Sequence, residues 1–268
     1  MKQKNMAERK AGLKYFAKIR FVGTGFSGFQ VQPGARTVMG VLNDAMNRTL
    51  GTPCRVTGCS RTDAGVHALM FCVTIEAPGA ALPPEKLPLA ALPYLPPDLS
   101  LYAACVCPEN FHPRYNAVGK TYRYTIFNRR IPDPFFRDRA WFLPRALPPS
   151  GIERMRAAAA YVPGRRDFAS FMAAGSDVTD TVRTMTELSL SQDGDRIDIL
   201  VSADGFLYHM VRILVGTLVD IGTGRFAPED MPVILAAKNR AAAGMTAPAS
   251  GLYLYRVDYG NTAFPEGC

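Results

Sequence analysis

Hydrophobic and polar positions follow two regular spacings along this chain. From residue 14 to residue 22 every second side chain is apolar, with Lys18 and Arg20 on the opposite side, which predicts a half-buried strand. From Thr37, a favourable N-cap residue, apolar side chains recur at helical spacing as far as Gly51, which predicts a helix.

The same two patterns predict the remaining elements. Strands are expected at residues 55–59, 68–76, 101–107, 120–128, 182–191, 196–202 and 252–257, and Asp193-Gly194 indicates a hairpin between two of them. Helices are expected at residues 152–161, 207–222 and 228–237, with a short one inside the Pro- and Ala-rich residues 77–98. This order predicts an α+β protein with an N-terminal half at residues 13–134 and a C-terminal half at residues 135–268, preceded by a basic, flexible tail at residues 1–12.

Composition is that of an ordinary folded protein, but charge is unevenly distributed. The chain has 268 residues, of which 48% are hydrophobic and 20% charged, and this excludes the disordered and fibrous classes. Residues 1–134 carry 17 basic and 8 acidic side chains, a net +9, whereas residues 135–268 carry 14 and 15, a net −1. The imbalance favours a face for a polyanion, without choosing among RNA, DNA and small anions.

Signals for export, membrane insertion and metal binding are not found in the sequence. The first dozen residues hold no apolar signal segment, and no uncharged apolar run reaches the roughly 18 residues of a membrane helix. The six cysteines form no CxxC pair, and three histidines are too few for a zinc finger. We therefore expect a cytoplasmic protein that binds neither a metal nor a membrane.

A glycine-rich segment, Gly23-Thr24-Gly25-Phe26-Ser27-Gly28, matches the G-x-G-x-x-G fingerprint of dinucleotide-binding folds. In those folds a helix opens inside the motif and its N-terminus binds the pyrophosphate. Here the next predicted helix begins near Thr37, well past the motif. A glycine-rich turn is therefore the better interpretation.

A polar loop at residues 60–67, Ser-Arg-Thr-Asp-Ala-Gly-Val-His, separates two predicted strands. Arg61 and Thr62 precede Asp63, and a nearby arginine favours the ionised form of a carboxylate, as a nucleophile or an ion-pair partner requires. The alternative is a structural aspartate that caps a turn. A metal site formed with His67 is disfavoured, because Gly65 argues against the helix that would align the two side chains.

Two further segments carry residues suited to RNA binding or to an ion pair. Lys120, Tyr122 and Tyr124 share one face of a predicted strand, which suits base stacking with phosphate contact and, equally, a basic strand with core tyrosines. Arg212 lies in an apolar helical run, where a buried charge needs an acidic partner, and Asp63 is a candidate. The alternative for Arg212 is an exposed helix face.

Six segments together resemble the tRNA pseudouridine synthase A family, from residue 14 to about residue 259. The most specific is Arg-Thr-Asp-Ala-Gly-Val-His-Ala at residues 61–68, and the others lie at residues 23–30, 120–124, 167–171, 206–216 and 251–254. Two positions depart from the family pattern. Phe29 stands where the family usually has Trp, and Arg166 stands where it often has His.

The resemblance implies a fold, an activity and a set of site residues. The fold would be a mixed central sheet formed by two α+β halves with an RNA-binding cleft between them, in a homodimer. The activity would be cofactor-free isomerisation of uridine to pseudouridine in the tRNA anticodon stem-loop, at tRNA positions 38–40. By position, Asp63 is implied as the nucleophilic carboxylate, Tyr122 as the ring that stacks on the target uracil, Arg212 as the partner of Asp63, and Arg61 as the side chain that fills the space of the flipped nucleotide.

Two other classes of function are alternative hypotheses for this sequence. A non-catalytic RNA-binding protein would keep the basic face but would have no use for a carboxylate–arginine pair. A nucleotide-dependent oxidoreductase would need the glycine-rich segment to bind its cofactor.

Overall fold

Two compact units make up the fold. The computed structural model describes residues 13–260, so the predicted tail at residues 1–12 lies outside the described residues. One unit runs up to Val118 and takes in the chain again from Val257, and the other spans Gly119–Arg256. The sequence placed this division after residue 134. The structure places it ahead of the strand that begins at Gly119, because that strand pairs with a strand of the second unit.

The first unit is built on an antiparallel sheet. Its elements are β1 (Leu13–Phe21), α1 (Val38–Leu50), β2 (Arg55–Gly58), β3 (His67–Ala77), α2 (Leu87–Ala91) and β4 (Leu99–Val106). Strand β1 pairs with β3 on one side and with β4 on the other, and β2 also pairs with β3. The four side chains predicted to share the apolar face, Tyr15, Ala17, Ile19 and Phe21, are buried, and Phe16 on the opposite face is buried as well.

The second unit has a mixed sheet. Its elements are β5 (Gly119–Asn128), β6 (Trp141–Leu143), α3 (Gly151–Ala159), β7 (Gly164–Asp167), β8 (Val182–Asp193), β9 (Arg196–Ala203), α4 (Met210–Gly222), α5 (Asp230–Ala237) and most of β10 (Leu252–Asp258), whose last two residues belong to the first unit. The strand order is β10-β5-β9-β8-β7, and β6 runs parallel to β5 while the β5–β9, β9–β8 and β8–β7 pairs are antiparallel. The predicted α+β class and mixed sheet are confirmed.

Differences from the predicted elements have local causes. Helix α4 begins at Met210 rather than at residue 207, because His209 adopts a left-handed conformation with a φ of 59°, which an α-helix does not contain. Strands β6 and β7 were not predicted, since three or four residues are too few to show an alternation.

Helix α4 is the most apolar long helix of the second unit because it is buried on nearly every side. Eleven of its 13 residues are buried, and Arg212 and Asp220 are the other two. Among residues 13–260, no helix is both long and apolar enough to cross a membrane.

Thr37 caps the N-terminus of α1, and replacing it should reveal how much this cap contributes to the free energy of unfolding. Its hydroxyl accepts a hydrogen bond from Gly40 N at 3.2 Å, and Gly51 ends the helix in the left-handed conformation. We expect Thr37→Ala to lower the free energy of unfolding by about 1 kcal/mol. Thr37→Ser keeps the oxygen and is the control. Equal melting temperatures for the two variants would contradict the assignment.

Candidate active site

The loop between β2 and β3 carries Asp63 at its turn. Val66 N donates a hydrogen bond to Asp63 O at 3.2 Å, and Gly65 adopts a φ of 79° within this turn. Thr62 and Val66 are buried, whereas Asp63 is partly exposed and Arg61 is exposed. The loop therefore anchors its backbone in the protein while the carboxylate of Asp63 remains accessible from one side.

Residues 23–29, here called the glycine cradle, hold this loop in place. Phe29 N donates to Thr62 O at 3.1 Å, and Gly65 N donates to Phe26 O at 3.3 Å. A third hydrogen bond runs from Gly23 N to Nδ1 of the buried His67 at 2.9 Å. The three bonds join residues that are 33 to 44 positions apart in the sequence, and they restrain the backbone on both sides of Asp63.

Two glycines of the cradle are required by this close backbone contact. A Cβ atom on Gly23 would lie 2.0 Å from Val66 O, and one on Gly28 would lie 2.6 Å from Thr62 O. Gly28 also has a φ of 83°, a conformation that costs other residues energy. The prediction of a glycine-rich turn is confirmed, and its glycines serve backbone-to-backbone packing against the Asp63 loop.

An ion pair between Arg36 and Asp98 also holds the glycine cradle in place. Both terminal nitrogens of Arg36 donate to the carboxylate of Asp98 at 2.8 Å, and Nη1 also donates to Gly25 O at 3.0 Å. The guanidinium lies 4.0 Å from the centre of the Phe26 ring. Its hydrogen bonds lower the pKa of Asp98 below the ordinary value, so the carboxylate is ionised at neutral pH.

The two departures from the family pattern have different surroundings. Phe29 is buried and stacks on Phe71 with ring centres 4.4 Å apart, and a Cβ on Gly58 would lie 2.4 Å from its ring. Phe29 is therefore a packing residue below the Asp63 loop. Arg166 is exposed on β7, and its Nε donates to Val162 O and Pro163 O at 3.2 Å.

His67 is a structural residue that links the Asp63 loop to the glycine cradle. Its Nδ1 accepts the hydrogen bond from Gly23 N and its side chain is buried. Within residues 13–260, no group of three or more His, Cys, Asp and Glu side chains is arranged to hold a metal ion.

Tyr122 lies on β5 in the second unit, opposite Val201 of β9. Its buried ring meets Phe206 edge to face, with ring centres 4.9 Å apart. Two residues along the same face, the hydroxyl of Tyr124 donates to Pro248 O at 2.8 Å, and burial strongly raises the pKa of this phenol. The predicted alternation of β5 is confirmed, because Tyr122 and Tyr124 are buried while Arg123 is only half-buried on the other face.

Arg212 is held at the beginning of α4 by a loop segment, residues 245–248. Its Nε donates to Ala247 O at 2.7 Å, and Ala247 N donates to the carbonyl oxygen of Arg212 at 3.0 Å. One helical turn further on, a Cβ on Gly216 would lie 1.9 Å from Met245 O, so this segment lies directly against the helix. The side chain of Arg212 is half-buried, which is consistent with neither a fully exposed helix face nor a fully buried charge.

The four predicted site residues fall into two pairs. Asp63 and Arg61 belong to the first unit, and Tyr122 and Arg212 belong to the second. The ion pair between Asp63 and Arg212 stays a prediction. The sequence analysis missed residues 245–248, because they act through backbone carbonyl groups that leave no residue-type signal.

Known proteins match this chain along most of its length. A family model described as tRNA pseudouridine synthase matches residues 17–116 and 157–260. A relative from Moorella thermoacetica, named tRNA pseudouridine synthase A, is 46% identical over 243 residues, covering 90% of this chain and 97% of its own. Relatives of the same name from Bacillus licheniformis and Bacillus subtilis are 43% and 40% identical, each covering 91% of this chain and 98% of its own.

This chain therefore belongs to the tRNA pseudouridine synthase family, and the resemblance noted in its sequence is confirmed. One solved structure, titled as a Cbf5-Nop10-Gar1 complex, matches 88% of this chain and 50% of its own, with 12% identity and a TM-score of 0.37.

Gly28 offers a direct test of the cradle, and Gly34 is its matched control. Both have a positive φ, but a Cβ on Gly34 would meet nothing within 4 Å. Gly28→Ala and Gly34→Ala therefore share a backbone cost of roughly 1 to 2 kcal/mol, and only Gly28→Ala pushes Thr62 away. We expect Gly28→Ala alone to lose most of the uridine-isomerising activity on tRNA, measured with folded protein. Equal activities would contradict the role of the cradle.

Proposed function

We propose that this protein converts uridine to pseudouridine in the anticodon stem-loop of tRNA, at tRNA positions 38–40, with Asp63 as the nucleophilic carboxylate. The observation that carries the proposal is the Asp63 loop itself, whose backbone is fastened on both sides while the carboxylate is partly exposed. A structural aspartate that merely caps a turn needs no such external support. Membership of the tRNA pseudouridine synthase family adds to it.

The chemistry is a rearrangement within one nucleotide. The bond between C1′ of the ribose and N1 of uracil breaks, the base rotates, and a bond forms between C1′ and C5. The hydrogen on C5 leaves as a proton and N1 gains a proton, so atoms and electrons balance without a redox partner or an energy donor. An aspartate carboxylate serves this reaction by a covalent adduct at C1′ or at C6 of uracil, or by stabilising positive charge at C1′.

The remaining residues bind and orient the nucleotide. The target base must leave its stack, which costs a few kcal/mol, and Arg61 fills the space that it vacates. Tyr122 stacks on the extruded uracil, and its edge-to-face contact with Phe206 fixes the plane of its ring. Arg212 pairs with Asp63, and its Nε contact with Ala247 O sets the direction of the guanidinium.

The RNA-binding surface and the oligomeric state are proposed from the family resemblance. The RNA lies in a cleft between the two α+β halves of a homodimer in the cytoplasm. The basic excess of the first half attracts the phosphates and contributes much of the affinity, which should therefore fall with salt. The reaction as written uses no cofactor.

Replacement of Asp63 tests the chemical assignment. Asp63→Asn should still bind tRNA but release no tritium from transcripts labelled at C5 of uridine, because the amide is not a nucleophile of comparable strength. Asp44→Asn, an exposed aspartate on α1 in the same unit, is the control and should keep normal release. Tritium release by Asp63→Asn would disprove the nucleophile assignment.

Replacement of Arg212 separates a role in the reaction from a role in the fold. Arg212→Met should lose much more turnover than stability. Arg154→Met is the matched control, since Arg154 is also half-buried and donates to two carbonyl oxygens, of Ile221 and Phe226. We expect similar falls in melting temperature for the two variants and a large loss of turnover only in Arg212→Met. Full activity in Arg212→Met would show that it does not pair with the catalytic carboxylate.

A further inference from the structure

The second unit contains a pocket that the proposed chemistry does not use. It has a volume of about 590 Å³, within the usual range for small-ligand sites, and is formed mainly by residues 127–142. Most of these residues lie between the two stretches that the family model matches. Pro248 and Ser250 complete the wall.

Four of the twelve lining residues are aromatic. Phe127 and Phe136 stack with ring centres 4.4 Å apart and an angle of 14° between their planes. Trp141, the only tryptophan of the chain, and Phe142 add two more aromatic groups. Neighbouring prolines give the pocket further rigid apolar surface. Such a lining suits a planar aromatic ligand, since stacking on a π face is favourable for every nucleobase.

Two carboxylates provide polar groups in this lining. Asp133 and Asp138 both border the pocket. Asp133 already accepts a hydrogen bond from Phe135 N at 2.9 Å, and a carboxylate oxygen of Asp138 lies 3.7 Å from Nε of Arg137. A carboxylate accepts hydrogen bonds from the exocyclic amino group that adenine, guanine and cytosine carry and uracil lacks. The carboxylates therefore favour a base with an amino group over uracil, and the aromatic lining favours the larger ring face of a purine over that of cytosine.

The surface around the pocket is strongly basic. Residues 129–145 contain five arginines and two aspartates, and all five arginine side chains are exposed: Arg129, Arg130, Arg137, Arg139 and Arg145. This charge attracts a phosphate backbone. A second copy of the chain docked on the same patch would instead bring two sets of arginines together, which is unfavourable.

We propose that this pocket binds an unpaired purine base of the RNA substrate, with Arg137 contacting an adjacent phosphate. The proposal rests on the proposed function, because it assumes an RNA substrate. The wall of the pocket also connects to the candidate site, since Tyr124 donates to Pro248 O and Arg212 donates to the neighbouring Ala247 O. A base held here would fix the RNA close to the strand that carries Tyr122.

Trp141 provides a direct readout, because it is the single tryptophan and lines the pocket. The full chain with Asp63→Asn, which prevents turnover, is titrated with a short RNA hairpin of anticodon stem-loop sequence. Binding is measured in parallel by filter retention. We expect tryptophan emission to be quenched along the same curve as binding, and more strongly by a hairpin with loop purines than by one with loop pyrimidines only.

Two variants test the contacts, and a third variant is the control for the effect of charge. Arg137→Gln should weaken binding by about fivefold and reduce the salt dependence by about one phosphate contact. Arg165→Gln removes an equally exposed arginine from β7 and should have a smaller effect. Phe136→Leu keeps an apolar side chain against Phe127 and should weaken binding by at least about fivefold, by loss of stacking. Melting temperatures check that each variant is folded.

Three results would overturn the proposal. Binding of the hairpin without a change in tryptophan emission would place the RNA elsewhere. Equal losses of RNA affinity in Arg137→Gln and Arg165→Gln would show that Arg137 contributes only general charge attraction and makes no specific phosphate contact. A change in emission on diluting the protein alone, in step with dissociation of a dimer, would show that a second copy covers the pocket.

Failure of this proposal can be told apart from failure of the proposed function. Tritium release by the unaltered protein reports the reaction without reference to the pocket. Normal release without quenching rejects the pocket alone, and quenching without release rejects the reaction alone.

Discussion

The close backbone approach between the glycine cradle and the Asp63 loop is the constraint on which the candidate site depends. Gly23 and Gly28 lie so near to Val66 O and Thr62 O that a single added carbon would separate the two segments. Because this contact is made by main-chain atoms, it restrains the backbone on both sides of Asp63. The pair of Arg36 and Asp98 then prevents the cradle from moving away.

The second unit uses the same device for a different group. Gly216 lets α4 lie against Met245 O, and Ala247 exchanges two hydrogen bonds with Arg212. In each unit a glycine admits a neighbouring backbone, and that backbone holds the segment that carries a charged site residue. Because these contacts are present before the substrate binds, the site residues lose little conformational freedom on binding.

Prediction from the sequence succeeded where the cause was local. Helix α1 begins after Thr37 and ends before Gly51, because a cap hydroxyl and a left-handed glycine act within one turn of the helix. The alternation of β5 likewise placed Tyr122 and Tyr124 on one face, and the structure shows that both are buried. The prediction failed for β6 and β7, which are too short to show a pattern, and for the beginning of α4, where the conformation of His209 decides.

By itself the sequence determined the α+β class, the family resemblance and the residue types of the candidate site, since motifs and periodicity are properties of consecutive residues. Only the tertiary structure decided why the G-x-G-x-x-G segment is glycine-rich, since its contacts lie 33 to 44 residues away along the chain. It also decided that Phe29 is a packing residue and that residues 127–142 enclose a pocket with Pro248 and Ser250. Distances between remote segments depend on the packing of the whole chain, and no local pattern records them.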